Sequence, residues 1–336
     1  MYLTFPGWLH PEIIPGLPLR WYGLMYLVAF FIAFTLLKVQ IKERSLKVNK
    51  DEPLNLFFWA IIGLLAGARL FAVTIYDIDG YYLKHPLQTI LPFAVMNGRI
   101  VFTGLQGMSY HGGLVGTFIA CLIYFRLKKM DIWEWTDMLV TAAPLGYTFG
   151  RLGNFINAEL YGRVTTRPWG MVFPTAEKFP AAQSWVKDIA VRVGMVINGE
   201  PWVNLPRHPS QLYEAFFEGI FLWAILWFVL RKRRPFKGFL FSAYLIGYGL
   251  VRFIIEYFRQ PDIEIGYPIQ LVKIDNPNYQ FSFFNFTTGQ ILCFLMIIGG
   301  IAGIFIFRQL ARKEKQTAKH RPNLRKLRKK IRQKSE

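Results

Sequence analysis

The sequence is poor in cysteine and in acid. Its 336 residues include only Cys121 and Cys293, both in apolar runs and with no Cys-x-x-Cys spacing. That excludes a disulfide framework and a zinc–thiolate site, and the thiols read as small apolar packers. No His-x-x-x-His or Glu-x-x-His pattern occurs, and no acidic cluster flanks His111, so neither a metal nor another cofactor is expected. Gly-x-Ser-x-Gly and P-loop patterns are missing too, which leaves an acyl-serine route and ATP unsupported. No internal repeat is visible, which argues against transporters built from paired repeats. A basic n-region is also lacking. Glu12 and Arg20 precede the first apolar run and the Lys-rich segment follows it, the polarity of an uncleaved first span with its N-terminus outside.

Apolar surface is what the chain has in excess: 53% hydrophobic residues, 17% aromatic, mean hydropathy +0.26. This composition predicts an all-α, polytopic integral membrane protein. A bilayer core of roughly 30 Å needs about 20 apolar helical residues, and lipid leaves no partner for unpaired backbone groups. Seven stretches qualify, near 21–38, 54–74, 111–126, 137–154, 213–230, 239–257 and 289–307. Alternate loops and the tail hold 26 of the 40 Lys and Arg: 38–50, 126–129, 231–237 and 308–336. By the positive-inside rule these face the cytoplasm, so the C-terminus is inside. The opposite loops, with Asp77, Asp79, Asp262, Glu264 and Asp275, face outward.

Two domains follow. Residues 1–307 form the membrane-embedded body, with 158–207 as an extracytoplasmic head of short helices or strands. Residues 308–336 form a basic tail, with 13 Lys or Arg against Glu314 and Glu336. The tail would lie on the anionic inner leaflet, at about 1 kcal/mol per basic residue. RNA is its alternative polyanion, but no nucleic-acid partner is expected.

A charge in a membrane helix costs at least about 2.5–3.5 kcal/mol and needs a reason. In "YGLVRFIIEYFR", 248–259, helical periodicity puts Tyr248, Arg252, Glu256 and Arg259 on one stripe, with Phe253, Ile254 and Tyr257 elsewhere. The stripe is either a self-neutralising Arg252–Glu256 pair or, with Arg259, a net positive site for an anion. In "GRLGNFINAELYG", 150–162, Arg151, Asn154 and Asn157 follow at successive turns, with Glu159 beyond and Gly150, Gly153 and Gly162 permitting a bend or close approach. "GMSYHGGLVG" places His111 beside Gly112 and Gly113. "RWYGLMY" puts Tyr22 at the start of span one, and "RHPSQLYE" adds His208, Ser210, Gln211 and Glu214 before span five. All five clusters lie at outer ends of spans. Arginines there suit a phosphodiester headgroup, which guanidinium binds through two parallel hydrogen bonds, and His111 is suited to moving a proton. A lipid flippase and a non-catalytic lipid-binding protein are the competing classes. The first would place polar groups at mid-span, and the second gives His111 no role.

These five motifs, in this order over about residues 15–307, resemble those of bacterial phosphatidylglycerol:prolipoprotein diacylglyceryl transferase, the first enzyme of lipoprotein maturation. The resemblance implies seven spans and an inner-membrane location. It implies transfer of the sn-1,2-diacylglyceryl group from phosphatidylglycerol to the lipobox cysteine of lipoprotein precursors, with release of glycerol phosphate. It also assigns residues: His111, Arg151 and Arg252 to catalysis, and Tyr22, Asn154, Glu159, Gly162, Tyr248, Glu256 and Arg259 to substrate binding. His111 would take the thiol proton with Tyr22 or Tyr248 as hydrogen-bonding partners, and the arginines would clamp the departing phosphate.

Overall fold

A computed structural model describes residues 1–17, 19–77, 80–89, 93–96, 99–102, 108–261 and 266–332. Gly107 of the His111 motif, the loop acids Asp79, Asp262 and Glu264, and the last four residues including Glu336 lie outside these. Two compact units emerge, one of Met1–Leu36 with Thr136–Glu336, the other Leu37–Trp135.

All seven stretches expected to span fall on helices. They are α1 (Trp21–Glu43), α2 (Glu52–Thr74), α3 (Tyr110–Leu127), α4 (Ile132–Ile156), α6 (Ser210–Arg233), α7 (Phe239–Ile255) and α8 (Thr288–Arg332). Helix α5 (Ser184–Val193) lies between α4 and α6. Five of the seven are long and apolar enough to cross a membrane. Of the remaining two, α3 is short, and α4 carries Asp137, Thr141, Thr148, Arg151 and Asn154. At 1.5 Å per residue the 23 residues of α1 or α2 reach about 34 Å. Their outward side chains stay apolar: Phe31 is 70% exposed and Leu27 66%, as expected of a face meant for hydrocarbon. Helix α8 runs on through the basic tail to Arg332, where the sequence had marked a boundary at residue 308.

In the Leu37–Trp135 unit, α2 and α3 pack backbone to backbone. A Cβ on Gly116 would collide with the Gly63 carbonyl oxygen, and one on Gly112 with Gly67 and Phe71. The spacings Gly63-x-x-x-Gly67 and Gly112-x-x-x-Gly116 are thus the small-residue interface of two membrane helices. Ser109 caps α3, its hydroxyl accepting from Gly112 N at 3.1 Å. Gly112, read as bare backbone beside His111, serves this packing.

In the larger unit, Asp137 near the start of α4 is fully buried and clasps the start of α7. Its carboxylate accepts from Gly238 N and Phe241 N, each at 2.9 Å, and pairs with Arg234 at 3.1 Å. Helix α6 is wound wider than an α-helix over Ala215–Phe221 and Ile225–Leu230. Thr148 of α4 donates its hydroxyl to the Ala215 carbonyl at 3.2 Å, satisfying a group at the start of the first wide stretch.

Residues 158–207 build their own small core, Val164, Phe179, Val186, Ile189, Val203 and Leu205 among them. Two short strand pairs and α5 frame it, one pair joining Leu3–Thr4 in parallel to Met171–Val172. Two buried arginines hold it together. Arg163 donates to the carbonyls of Tyr257, Pro277 and Gln280. Arg207, fully buried, lies between the rings of Tyr161 and Phe179. Desolvation lowers the pKa of both guanidiniums, so the aromatic faces and carbonyls are what make their burial tolerable.

Candidate active site

Within the larger unit, hydrogen bonds and ion pairs bring together the end of α4, the start of α6 and the end of α7. Glu214 is the hub. Its carboxylate, with no exposed surface, contacts Arg151 Nε at 2.7 Å, Arg252 Nη1 at 3.2 Å and Arg259 Nη1 at 2.6 Å. Glu218, one turn on, contacts Arg252 at 3.4 Å and accepts from the Tyr147 hydroxyl at 2.6 Å. Glu256 pairs with Arg252 at 3.0 Å and with Arg259 at 3.6 Å, and accepts from the Thr287 hydroxyl at 3.1 Å. Tyr147 also accepts from Arg151 Nε at 2.6 Å.

Arg252 and Glu256 do pair, as the expected stripe requires, but α7 ends at Ile255, and Arg259 meets them from extended backbone beyond a short 3-10 turn rather than from the helix face. The positive excess inferred from Arg252, Glu256 and Arg259 does not survive. Glu214 and Glu218 enter the same network, giving three guanidiniums and three carboxylates among the described residues. Residues expected elsewhere are elsewhere: Phe253 packs on Phe286, Tyr257 on Phe281 and Phe283.

The opening motif continues this network. Asn154 accepts from Arg151 at 3.4 Å and donates to Glu159 at 2.9 Å, and Asn157 donates to the same Glu159 oxygen at 3.2 Å. Helix α4 stops at Ile156, so Asn157 sits in the turn beyond it rather than on a further helical turn. Ala158 and Leu160 reverse the chain at φ 53° and 56°, a region costly for residues with a Cβ. Gln211 donates to the Glu159 carbonyl at 2.6 Å and Ser210 to that of Leu160 at 3.1 Å, which hold the reversal. Gly162 bridges to Arg259, and any Cβ there would strike the Phe258 carbonyl oxygen. A Cβ on Gly153 would lie 2.8 Å from the Tyr22 ring, whereas one on Gly150 meets nothing. Tyr22 is hydrogen-bonded to Tyr26 at 3.1 Å, and Tyr248 lies edge-on to Tyr147 with ring centres 6.1 Å apart.

His111 belongs to the other unit. There the Tyr76 hydroxyl is hydrogen-bonded to its Nδ1 at 3.0 Å, a partner the sequence reading did not consider. His208 is a different case. Burial first, then the charges of Arg167 and Arg163, push its pKa down to about 4. Such an imidazole is uncharged near pH 7 and a poor base for a thiol of pKa about 8.5. Its Nδ1 is hydrogen-bonded to the Tyr213 hydroxyl, which accepts from Trp169 Nε1 at 2.6 Å.

Sequence reasoning missed Glu218, Tyr147, Tyr76 and Thr287, and gave Glu214 no partner. Glu218 alone carried a signal: a carboxylate inside an apolar span, four residues after another.

Five apolar helices of membrane length, two of which, α6 and α7, share with α4 a buried arginine–carboxylate network, define an integral membrane protein with a polar site. The chain belongs to the prolipoprotein diacylglyceryl transferase family, whose profile matches residues 11–306. It is 49% identical over 329 residues to the phosphatidylglycerol–prolipoprotein diacylglyceryl transferase of Treponema denticola, covering 94% of this chain and 97% of that protein. The enzymes of the same name from Treponema pallidum and Chlorobaculum tepidum are 46% and 45% identical. Each match covers 90% of this chain, and 94% and 91% of the relative respectively.

Proposed function

We propose that this protein transfers the sn-1,2-diacylglyceryl group of phosphatidylglycerol to the lipobox cysteine of lipoprotein precursors. In this reading the chain crosses the bacterial inner membrane seven times, N-terminus out and C-terminus in. Residues 158–207 form an extracytoplasmic head on the transferase body, 308–336 a cytoplasmic tail, and the site opens near the outer leaflet. The observation that carries it is the convergence of Arg151, Arg252 and Arg259 on Glu214, where the end of α4, the start of α6 and the end of α7 with the segment after it meet. A cavity of about 500 Å³ supports it. That cavity is lined by apolar and aromatic side chains of α6, α7 and their flanks, including Trp169, Tyr213 and Phe258, the last two being the chain neighbours of Glu214 and Arg259. Acyl chains suit such a lining as a phosphodiester suits the guanidiniums.

The thiolate is the nucleophile. It attacks the glycerol carbon that bears the phosphate ester, the carbon–oxygen bond breaks, and the electron pair leaves on glycerol phosphate as the thioether forms. Arg151 and Arg252 stabilise the charge that builds on the departing phosphate, best where water is excluded. His111 accepts the thiol proton. Tyr22, Asn154, Glu159, Gly162, Tyr248, Glu256 and Arg259 shape the substrate site.

The test is purified protein, labelled phosphatidylglycerol and a lipobox peptide. Wild type should move label to the peptide. Arg151→Lys and Arg252→Lys keep the charge but lose the planar fork, and should lose most activity, at least tenfold, while remaining folded in detergent. Near-normal turnover in both variants would remove the clamp.

A further inference from the structure

We infer that binding of the anionic lipid headgroup is coupled to uptake of one proton by Glu218. The inference rests on the phosphodiester reading of the site. With Arg151, Arg252 and Arg259 facing Glu214, Glu218 and Glu256, the ion-paired cluster is neutral before any substrate arrives, and the two charges at its margin, Arg163 acting on Glu256 and the exposed Glu159 linked through Asn154, offset each other. A phosphodiester stays singly negative throughout the pH range in which proteins stay folded. Its arrival therefore leaves one negative charge unmatched in a buried place, which desolvation strongly disfavours. Either a carboxylate moves out to water or one becomes neutral. Glu214 and Glu218 have side chains with no exposed surface, on a helix of membrane-spanning length, so neutralisation is the shorter route.

The proton goes where cationic support is weakest. Glu214 contacts three guanidiniums at 2.6–3.2 Å, and Glu256 contacts two and a hydroxyl. Among the described residues Glu218 is in ion-pair contact with one, Arg252, at 3.4 Å. Arg252 is also a guanidinium the headgroup would draw onto itself. Glu218's other oxygen accepts from Tyr147, a hydrogen bond that a neutral carboxyl keeps through its carbonyl oxygen. The groups facing Glu218 are Tyr147 and Arg151 from α4, Glu214 from its own helix, Arg252 and Tyr248 from α7, and the Cys293 thiol from α8. Arg252 and Arg151 oppose protonation, and both turn toward the phosphate when it binds.

The experiment is binding of tritiated phosphatidylglycerol to the full-length protein in neutral detergent, without peptide, in weak buffer with a pH indicator, between about pH 5 and 8.5. Wild type should take up close to one proton per lipid bound. Its Kd should rise up to tenfold per pH unit between the carboxyl's pKa in the empty and the filled site. Glu218→Gln, permanently neutral, should show no uptake and a flat Kd, whereas His111→Gln should keep the uptake. Diacylglycerol, which lacks the charge, should bind without it. Phosphatidylglycerol binding to wild type with no proton uptake overturns the coupling and leaves the headgroup site standing. Uptake that persists in folded Glu218→Gln overturns the assignment, and should that variant not fold, the wild-type stoichiometry decides. A wild type that binds diacylglycerol but no phosphatidylglycerol overturns the headgroup reading itself.

Discussion

His208 packs its ring on Phe258, is hydrogen-bonded to Tyr213, and keeps its proton off until about pH 4. His111 is exposed and has Tyr76 on Nδ1. Identical side chains therefore meet different chemistry, and of these two His111 is the candidate base. If it takes the thiol proton, its loss should hurt most at low pH, where little thiolate exists, and rising pH should partly rescue it. The ratio of initial transfer rates, His111→Gln over wild type, is expected to climb at least tenfold between pH 6 and 9 at saturating lipid. A flat ratio would assign thiolate stabilisation to Arg151 and Arg252 instead. The depressed pKa of His208 has its own sign. Its neutral form stabilises the fold fully above the unfolded-state pKa of about 6.5, and that contribution drains away as pH falls towards 4.

Helices α2 and α3 show how little sequence is needed to set an interface once side chains are removed. Gly67 and Gly116 leave their backbones in contact, so the helices gain packing that no larger residue permits. Gly116→Leu should lower the melting temperature in detergent sharply, since overpacking alone costs about 1–3 kcal/mol and here the obstacle is backbone. Gly150→Ala, where a Cβ meets nothing, is the matched control and should be neutral or slightly stabilising, by up to about 1 kcal/mol. Equal melting of both variants would mean the α2–α3 contact is not what holds this unit. In the larger unit, Asp137 does for α7 what Ser109 does for α3, and adds an ion pair to Arg234.

For the whole molecule the governing quantity is the placement of 26 of 40 cationic residues in alternate loops and the tail. Cysteines introduced at Lys47 or Arg233 should resist an impermeant thiol reagent in intact cells, and one at Lys187, exposed on α5, should react. Labelling of Arg233→Cys from outside would overturn the proposed orientation and with it the proposed placement of the site at the outer leaflet. The native thiols give little background, since Cys293 is buried and Cys121 partly so.

The sequence by itself determined where the helices lie, because hydrocarbon demands runs of apolar residues and closed backbone bonding. It also placed Tyr248, Arg252 and Glu256 on one face at the end of α7, because the helical period is fixed, but not Arg259, which lies beyond the end of the helix. Which faces meet was beyond it. Glu218 and Arg252 are 34 positions apart and Glu214 and Arg259 are 45, and no periodicity within one helix reports its neighbour in another. Tertiary packing therefore decided the charge of the site. It turned a stripe that looked cationic into a balanced network of three arginines and three carboxylates, because an unmatched guanidinium at that depth costs more than the carboxylate that neutralises it.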